Sequence, residues 1–518
     1  MLSLRNVEAT INKKILDKSR YLDIIITVIV SVLILVLSCY VKNLISEKVK
    51  FLSKTFFYSF TNQKGENITW YLESYTDASY YYEPFLQAFS FEGWNPYKRY
   101  LGSELDYYMY GPIFIYSKYI TLLIIGFLHP NLSQIELVKA SIKWSAITID
   151  SLSVMMLYIV IINLKFLKEK LVLKHIIGFL GSILLMLAPI NLYYSDTLYL
   201  NGPLMTFFAL IGLNYFLKEK YTLSGIFLSL SFLSKQLSLF LVIQFFILIW
   251  KSKDLKTAFT KFLNPFIITS FLLSIPWIFI TPILYIGRIF AAGHPQFYLN
   301  EELSIAQSLA NSISSLGCEL CAQIYWYLNF VMIPFLVFYG GCLLFAHFNA
   351  KEIMESEENI ILYTTLSVLI LHTFISRGIY KYYNSYINVF FILSIIVVSY
   401  RIIKYMFKKE KGFSAKEKIT LSFIIFLCSI LFTILLWGEN LLIMKIQRER
   451  HPLILLLMTI IFSFSFKLDN YKKLFIKKNY RILVIDVKSF FIYIYSSTKK
   501  KFLKMVKIIC KKLKKEND

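Results

Sequence analysis

IIITVIVSVLILVLSCYV, residues 24–41, runs without a single charged side chain. A charge-free run of about 18 residues is what an α-helix needs to cross the ~30 Å hydrocarbon core of a bilayer. Comparable runs recur to about residue 466 in a chain of 518 residues, 57% hydrophobic, with a mean hydropathy of +0.58. Soluble domains hold roughly 45–50% apolar residues, and arrange them in short periodic stripes. In lipid, backbone polar groups must be satisfied internally, which a helix does within one segment. The first run is too long for a cleaved signal sequence, and no small-residue cleavage site follows it, so it reads as a retained anchor. The expectation is an all-α polytopic membrane protein.

Charge then assigns sides. The net charge is +24, and half of it falls after residue 466, in a tail containing KKLFIKKNYR, STKKKFLK and KKLKK. In a soluble protein that charge would suggest nucleic acid. Beside a membrane it reads as a contact with anionic lipid and a topology signal, and nucleic acid is set aside. Arg5, Lys13, Lys14, Lys18 and Arg20 place residues 1–20 inside as a cytoplasmic tail. Span one then exits into a long first external loop, 45–136, with interfacial helices. One of these, IFIYSKYITLLIIGFL (113–128), is short and carries Lys118, so it reads as interfacial or re-entrant. Basic loops such as NLKFLKEKLVLK, KSKDLKTAFTK and RIIKYMFKKEKGFSAKEK alternate with the runs. They give about twelve spans within 21–466, with the acidic NAKEIMESEE the exception inside. Residues 467–518 form a basic, membrane-associated cytoplasmic tail. The sequons at Asn67 and Asn131 fall outside. Of six cysteines only Cys318 and Cys321 are paired in sequence, in GCELC. A structural zinc site needs about four ligands, which leaves a local disulfide or two unpaired thiols.

This topology gathers polar residues on the external side. The first loop holds Asp77, Glu83, Tyr97, Asp106 and Tyr110. Lys143 and Asp150, seven apart, share one face of span two across about two helical turns. Lys235 and Gln236 end span five, His294 follows span seven, and Arg377, Lys381 and Tyr382 lie between spans nine and ten. Charges at membrane depth are expensive and usually mark a function or a partner. Cations at one rim suit an anion presented from the bilayer, a lipid phosphate above all. A carboxylate beside them could deprotonate a hydroxyl. Each residue also has a plainer reading. Asp77 could be a solvated loop acid or a helix N-cap. Lys143 and Asp150 could be a structural pair, Lys235 could snorkel from its span end, and His294 could be an ordinary loop histidine.

The segment TDASYYYEPFLQAFSFEGWNPYKRYLGSELDYYMYGPIF (76–114) resembles the GT-C superfamily. These are multispan glycosyltransferases that use polyprenyl-phosphate sugars. An acid after the first span, an aromatic run, G-x-N-P-Y and then Y-x-Y-G-P at the start of a hydrophobic segment carry the likeness. It is similar in particular to the first mannosyltransferase of GPI-anchor assembly. IKWSAITIDSLSVMMLY looks like the family's basic residue, seven-residue gap and Asp. LSLSFLSKQLSLFLVIQF is similar to the Lys-Gln segment of the lumenal glucosyltransferases. The family's Asp-x-Asp reads Asp77-Ala-Ser79 here, and its Gly-Gln-x-Asp is absent from APINLYYSDTLYLNGPL.

The resemblance implies a GT-C-type helix bundle over 21–466 and an inverting hexosyltransferase, with mannose or glucose as the sugar. The donor would be a polyprenyl- or dolichyl-phosphate sugar, and the acceptor a lipid-linked glycan or glycolipid. Asp77 would be the catalytic base. Lys235, Gln236, Arg377, Lys381 and Tyr382 would hold the donor phosphate. Glu83, Tyr97, Asp106, Tyr110, Lys143, Asp150 and His294 would support the acceptor or the loop. No metal ligands are assigned and no cofactor is certain. A divalent metal stays open, because Ser79 removes one expected ligand. The site would face away from the cytoplasm, in a prokaryotic cell membrane or the endoplasmic reticulum. The competing class is a multispan transporter or lipid flippase.

Overall fold

The first charge-free run lies within one helix, α1 (Leu2–Ser53). It opens a computed structural model that describes residues 2–53, 58–61, 67–70, 82–91, 93, 95, 97, 110–168, 170–189, 191–197, 199, 202–290, 313–314, 317–330, 333–374, 384–409, 473 and 482–496. Between residues 21 and 47 of α1, the buried positions are Ser31, Ile34, Ser38, Lys42 and Ser46. They recur every three or four residues, which is one helical face. Val28, Val32, Val36 and Tyr40 are exposed on the rest. Apolar residues outward and small polar residues inward is the arrangement that suits a helix against lipid.

A short antiparallel hairpin follows, β1 (Tyr58–Thr61) on β2 (Asn67–Trp70), with Tyr58 opposite Trp70. This is a small departure from the all-α expectation. Helix α2 (Glu83–Phe91) leads to α3 (Pro112–Leu128), with proline at its first position, where its missing N–H costs nothing. Helix α4 (Gln134–Ile162) starts with a reciprocal capping box between Ser133 and Glu136. Then come α5 (Leu171–Met186), a π-helical turn (Asn191–Thr197), α6 (Gly202–Leu217), α7 (Tyr221–Ser234) and α8 (Ser238–Ser252). Helix α9 (Leu255–Ile280) contains a π segment and Pro276. After it follow α10 (Pro282–Phe290), α11 (Glu319–Phe330), α12 (Ile333–Met354), α13 (Glu357–Phe374), α14 (Asn384–Lys409) and α15 (482–496). A disulfide joins Cys318, just before α11, to Cys321 in its first turn.

Among the described residues, five helices are long and apolar enough to cross a membrane: Tyr21–Glu47 of α1, α4, α9, α12 and Tyr386–Lys404 of α14. They are compatible with an integral membrane protein. The expected spans three to six fall on α5–α8, which have only 14 to 16 residues each. At 1.5 Å per residue they reach about 21–24 Å, short of the ~30 Å core. Spans eleven and twelve fall outside the described residues.

The short helices shape the bundle. Helix α4, with 29 residues, rises about 43 Å and overtops them. We call upper the end where α7 stops and α8 begins. There α5–α8 form a step, and α2, α3 and the α9–α10 corner pack above it around Tyr82, Phe85, Tyr97, Phe114, Trp277 and Tyr285. The main core lies below, around Tyr158, Phe216, Phe245 and Tyr363. The lower end is tied by ion pairs. Glu357 accepts from the Lys165 backbone N–H at 2.6 Å, and Asp486 of α15 meets Lys251 at 2.6 Å and His347 at 3.1 Å.

Candidate functional site

The upper step is built where α3 begins and α7 ends. A Cβ added to Gly111 would lie 1.9 Å from the carbonyl oxygen of Leu233. Only glycine lets the two backbones meet so closely. The approach sets Tyr110 beneath Lys235, whose Nζ stands 5.4 Å from the ring centroid. The Tyr110 and Phe114 rings are 4.8 Å apart, and Tyr82 meets them edge-on at 5.6 and 4.7 Å. One turn further along α3, the Lys118 Nζ lies 5.3 Å from the Phe114 centroid. Lys118 is 3% exposed and Lys235 6%.

The first-loop motifs close on each other here. The Tyr97 hydroxyl donates to the Tyr110 carbonyl at 2.8 Å. Asn95 accepts the Tyr97 N–H at 3.0 Å and donates to Thr281 Oγ1 at 3.0 Å. The Tyr97 ring packs edge-on against Trp277 and Tyr285. G-x-N-P-Y is therefore a clamp that joins the start of α3 to the α9–α10 corner.

Beside this platform lies a buried polar network. Lys42 of α1 donates to Asp150 of α4, and to Asp196 of the π-helical turn at 2.9 Å. Asn191 donates to the other Asp150 oxygen at 3.1 Å, and Asn388 of α14 donates to Asn191 at 3.2 Å. Lys42, Asp150 and Asp196 are all fully buried. Two carboxylates thus share one ammonium. Asp196 Oδ1 has no hydrogen-bond partner among the described residues. One turn up α1, Ser46 is 3.2 Å from the hydroxyl of Tyr199. Tyr199 has φ 58°, a left-handed conformation that a bulky residue rarely adopts. A π turn and a left-handed residue in succession are the kind of local departure that clusters at functional sites.

The platform and the network stand near one level. Twelve residues separate Asp150 from the lower end of α4, about 18 Å of rise, and the whole of α7 below Lys235 rises about 21 Å. Tyr199 joins them, since it packs in the same aromatic cluster as Tyr82 and Tyr97. Chemically, two buried cations on an aromatic platform suit an anion. A cation–π contact contributes about 0.5–2 kcal/mol, less than the several kcal/mol that taking an ammonium out of water costs.

Of the residues singled out from sequence, Tyr97, Tyr110 and Lys235 converge on the platform. Gln236 follows Lys235 in the turn to α8, and its backbone oxygen accepts from Leu239 at 3.0 Å. Glu83 opens α2, half-buried. Lys143 and Asp150 share a face but do not pair. Lys143 reaches out to Glu47 at 2.9 Å, near the surface, while Asp150 takes Lys42. Seven residues of α-helix span about 10 Å along the axis, too far for a direct contact, so each finds a partner on α1. Asp77, Asp106, His294, Arg377, Lys381 and Tyr382 lie outside the described residues.

Sequence reasoning missed Lys42, Asn191, Asp196, Tyr199 and the partnering of Lys118. Lys42 carried a signal, because it ends the first charge-free run on the side where cations are disfavoured. Asp196 and Asn191 sat in a tyrosine-rich turn with no spacing to set them apart. Among the described residues no group of three or more His, Cys, Asp or Glu could hold a metal ion. No protein-family model matches the chain, and no curated protein matches it.

Proposed function

We propose that this chain is an inverting glycosyltransferase of the GT-C type. It would move a hexose from a polyprenyl- or dolichyl-phosphate donor to a lipid-linked glycan or glycolipid on the non-cytoplasmic side. The observation that carries the reading is the meeting of the first-loop motif with the Lys-Gln segment. Tyr97, Tyr110 and Gly111 come together with Lys235 at one step of the bundle. The twelve-span bundle belongs to the same proposal, with α5–α8 as short spans that leave room above the step.

In this mechanism the acceptor hydroxyl oxygen attacks the anomeric carbon from the face opposite the phosphate. The carbon–oxygen bond to the phosphate breaks as the new glycosidic bond forms. Asp77 takes the hydroxyl proton. The electron pair leaves with the lipid phosphate, whose growing charge Lys235, Arg377 and Lys381 stabilise, with Gln236 and Tyr382 as hydrogen-bonding partners.

The test is transfer from a panel of radiolabelled polyprenyl-phosphate hexoses to membrane lipid extract. Wild type should transfer at least one sugar. Asp77→Asn should lower the rate by about 10²-fold or more, the scale of a lost general base. Lys235→Gln should lower it by a similar factor. Equal transfer by wild type and Asp77→Asn would remove Asp77 from the mechanism.

A second reading, a transporter or lipid flippase, draws on the Lys42–Asp150–Asp196 network, since intramembrane ionisable groups also serve proton and substrate pathways. No transfer from any donor, with lipid translocation in reconstituted vesicles, would put that reading first.

A further inference from the structure

Lys118 is the one charged residue between Pro112 and Leu128. It is 3% exposed, and among the described residues its recorded partner is the face of Phe114 alone, with no carboxylate and no hydrogen-bond acceptor. Two other buried lysines have acids: Lys42 has two, and Lys174 of α5 has Asp23 at 2.7 Å. A buried ammonium without an anion weakens the fold, because the ring face returns only part of its hydration. Lys118 therefore stands as a cation kept for something the protein binds.

The surroundings say what kind of anion. The face of α3 away from the bundle is apolar and open, at Ile120, Leu123, Ile124 and Phe127. The inward face runs from Lys118 over Phe114 and Tyr110 to Lys235, with successive separations of 5.3, 4.8 and 5.4 Å. The open apolar face suits a ligand carried on a lipid chain, and a second cation, Lys235, lies across the aromatic pair from Lys118. We propose that Lys118 binds the phosphate of a lipid carrier as it enters, and that Lys118 and Lys235 form a two-cation track over the Tyr110–Phe114 pair. This rests on the glycosyl-transfer reading for the identity of the carrier.

The measurement is binding of a fluorescent polyprenyl monophosphate to the full chain in nanodiscs of neutral lipid. Polyprenyl alcohol and inorganic phosphate serve as competitors. Wild type should bind the phosphate, with neither competitor displacing it at equal concentration. Lys118→Gln should weaken binding about tenfold, and Lys118→Arg should keep it within about threefold, since the charge remains. Lys118→Met should lose binding while melting no lower than wild type without ligand, because it removes a buried unpartnered charge. Unchanged binding in Lys118→Gln and Lys118→Met would overturn the proposal, as would no binding by wild type. Displacement by inorganic phosphate at equal concentration would overturn the lipid source. The outcome separates from that of the transfer assay. Lys118-dependent binding without sugar transfer leaves the phosphate site and removes the enzyme. Transfer that ignores Lys118 leaves the enzyme and removes this site.

Discussion

Lys42 shows how a single residue is both expensive and informative. It sits at full burial between Asp150 and Asp196, tied to three other helical elements through Asn191 and Asn388. Replacing it with alanine leaves two carboxylates facing each other without a cation. Breaking a buried ion pair costs about 3–5 kcal/mol, so Lys42→Ala should melt well below wild type in detergent. Lys42→Met combined with Asp150→Asn and Asp196→Asn should recover most of that loss, because no charge is then left unpaired. Lys143→Ala is the control. Its partner Glu47 is 60% exposed, and such pairs contribute little, so the melting temperature should stay within about a degree or two. If Lys42→Ala melts with the control, the network does not hold the bundle. The sequence exposed Asp150 through its place on a span but offered Lys143 as its companion. Helical spacing reports which residues share a face of one helix. It cannot report which residue of another helix faces them, and the partners of both Asp150 and Lys143 came from α1.

At the scale of elements the legible and the hidden separate along the same line. The long apolar runs revealed α1, α4 and α12, and the shortness of 113–128 set α3 apart from the spans. The hairpin β1–β2 was not foreseen, since two four-residue strands leave little periodicity to read. The convergence of α3 with α7 was hidden too, although both motifs had been noticed. It depends on Gly111, whose role is visible only as a close approach to Leu233. Gly111→Ala forces a Cβ to within 1.9 Å of a carbonyl oxygen, so the start of α3 must move off the end of α7. Tyr110 should then leave Lys235, and sugar transfer or polyprenyl-phosphate binding should fall by tenfold or more while the main core stays folded. Gly126→Ala meets only the flexible end of Leu137 at 3.5 Å and should be silent. Gly225→Ala would meet the Phe262 carbonyl at 2.4 Å, below the step, and should lower the melting temperature instead. Equal function in Gly111→Ala and Gly126→Ala would show that the α3–α7 approach does not position the platform.

For the whole molecule, connectivity gives two ends, and charge supplies an expectation of which end would face the cytoplasm. The turn at 129–133 belongs to the upper part, where α3 passes to α4. Lys253 belongs to the lower end, where it pairs with Glu219 at 3.1 Å. The lower end also carries Lys165, Lys168, Lys170, Lys218 and Lys220, with α15 docked through Asp486 on Lys251 and His347. Lysine-rich short loops stay on the cytoplasmic side. The basic 467–518 segment, which contains α15, would pull the same way if it meets anionic lipid of the inner leaflet. Under the proposed function the positions of the site and of the charge make one prediction: the platform would open away from the cytoplasm. A membrane-impermeant maleimide tests it on intact cells expressing single-cysteine variants in a cysteine-free background. Asn131→Cys, at the exposed tip of the 129–133 turn, should label at once. Lys253→Cys, also exposed, should label only after permeabilisation. The reverse pattern would turn the bundle over and place the Lys118–Lys235 platform against the cytoplasmic leaflet. Labelling of both from one side would deny that the bundle separates them across the membrane, and with it the assignment of α4 and α9 as spans. An enzyme that draws its donor from one leaflet needs the first result. A carrier working across the bilayer would meet it equally well at these two positions, so the transfer assay remains what separates those two readings.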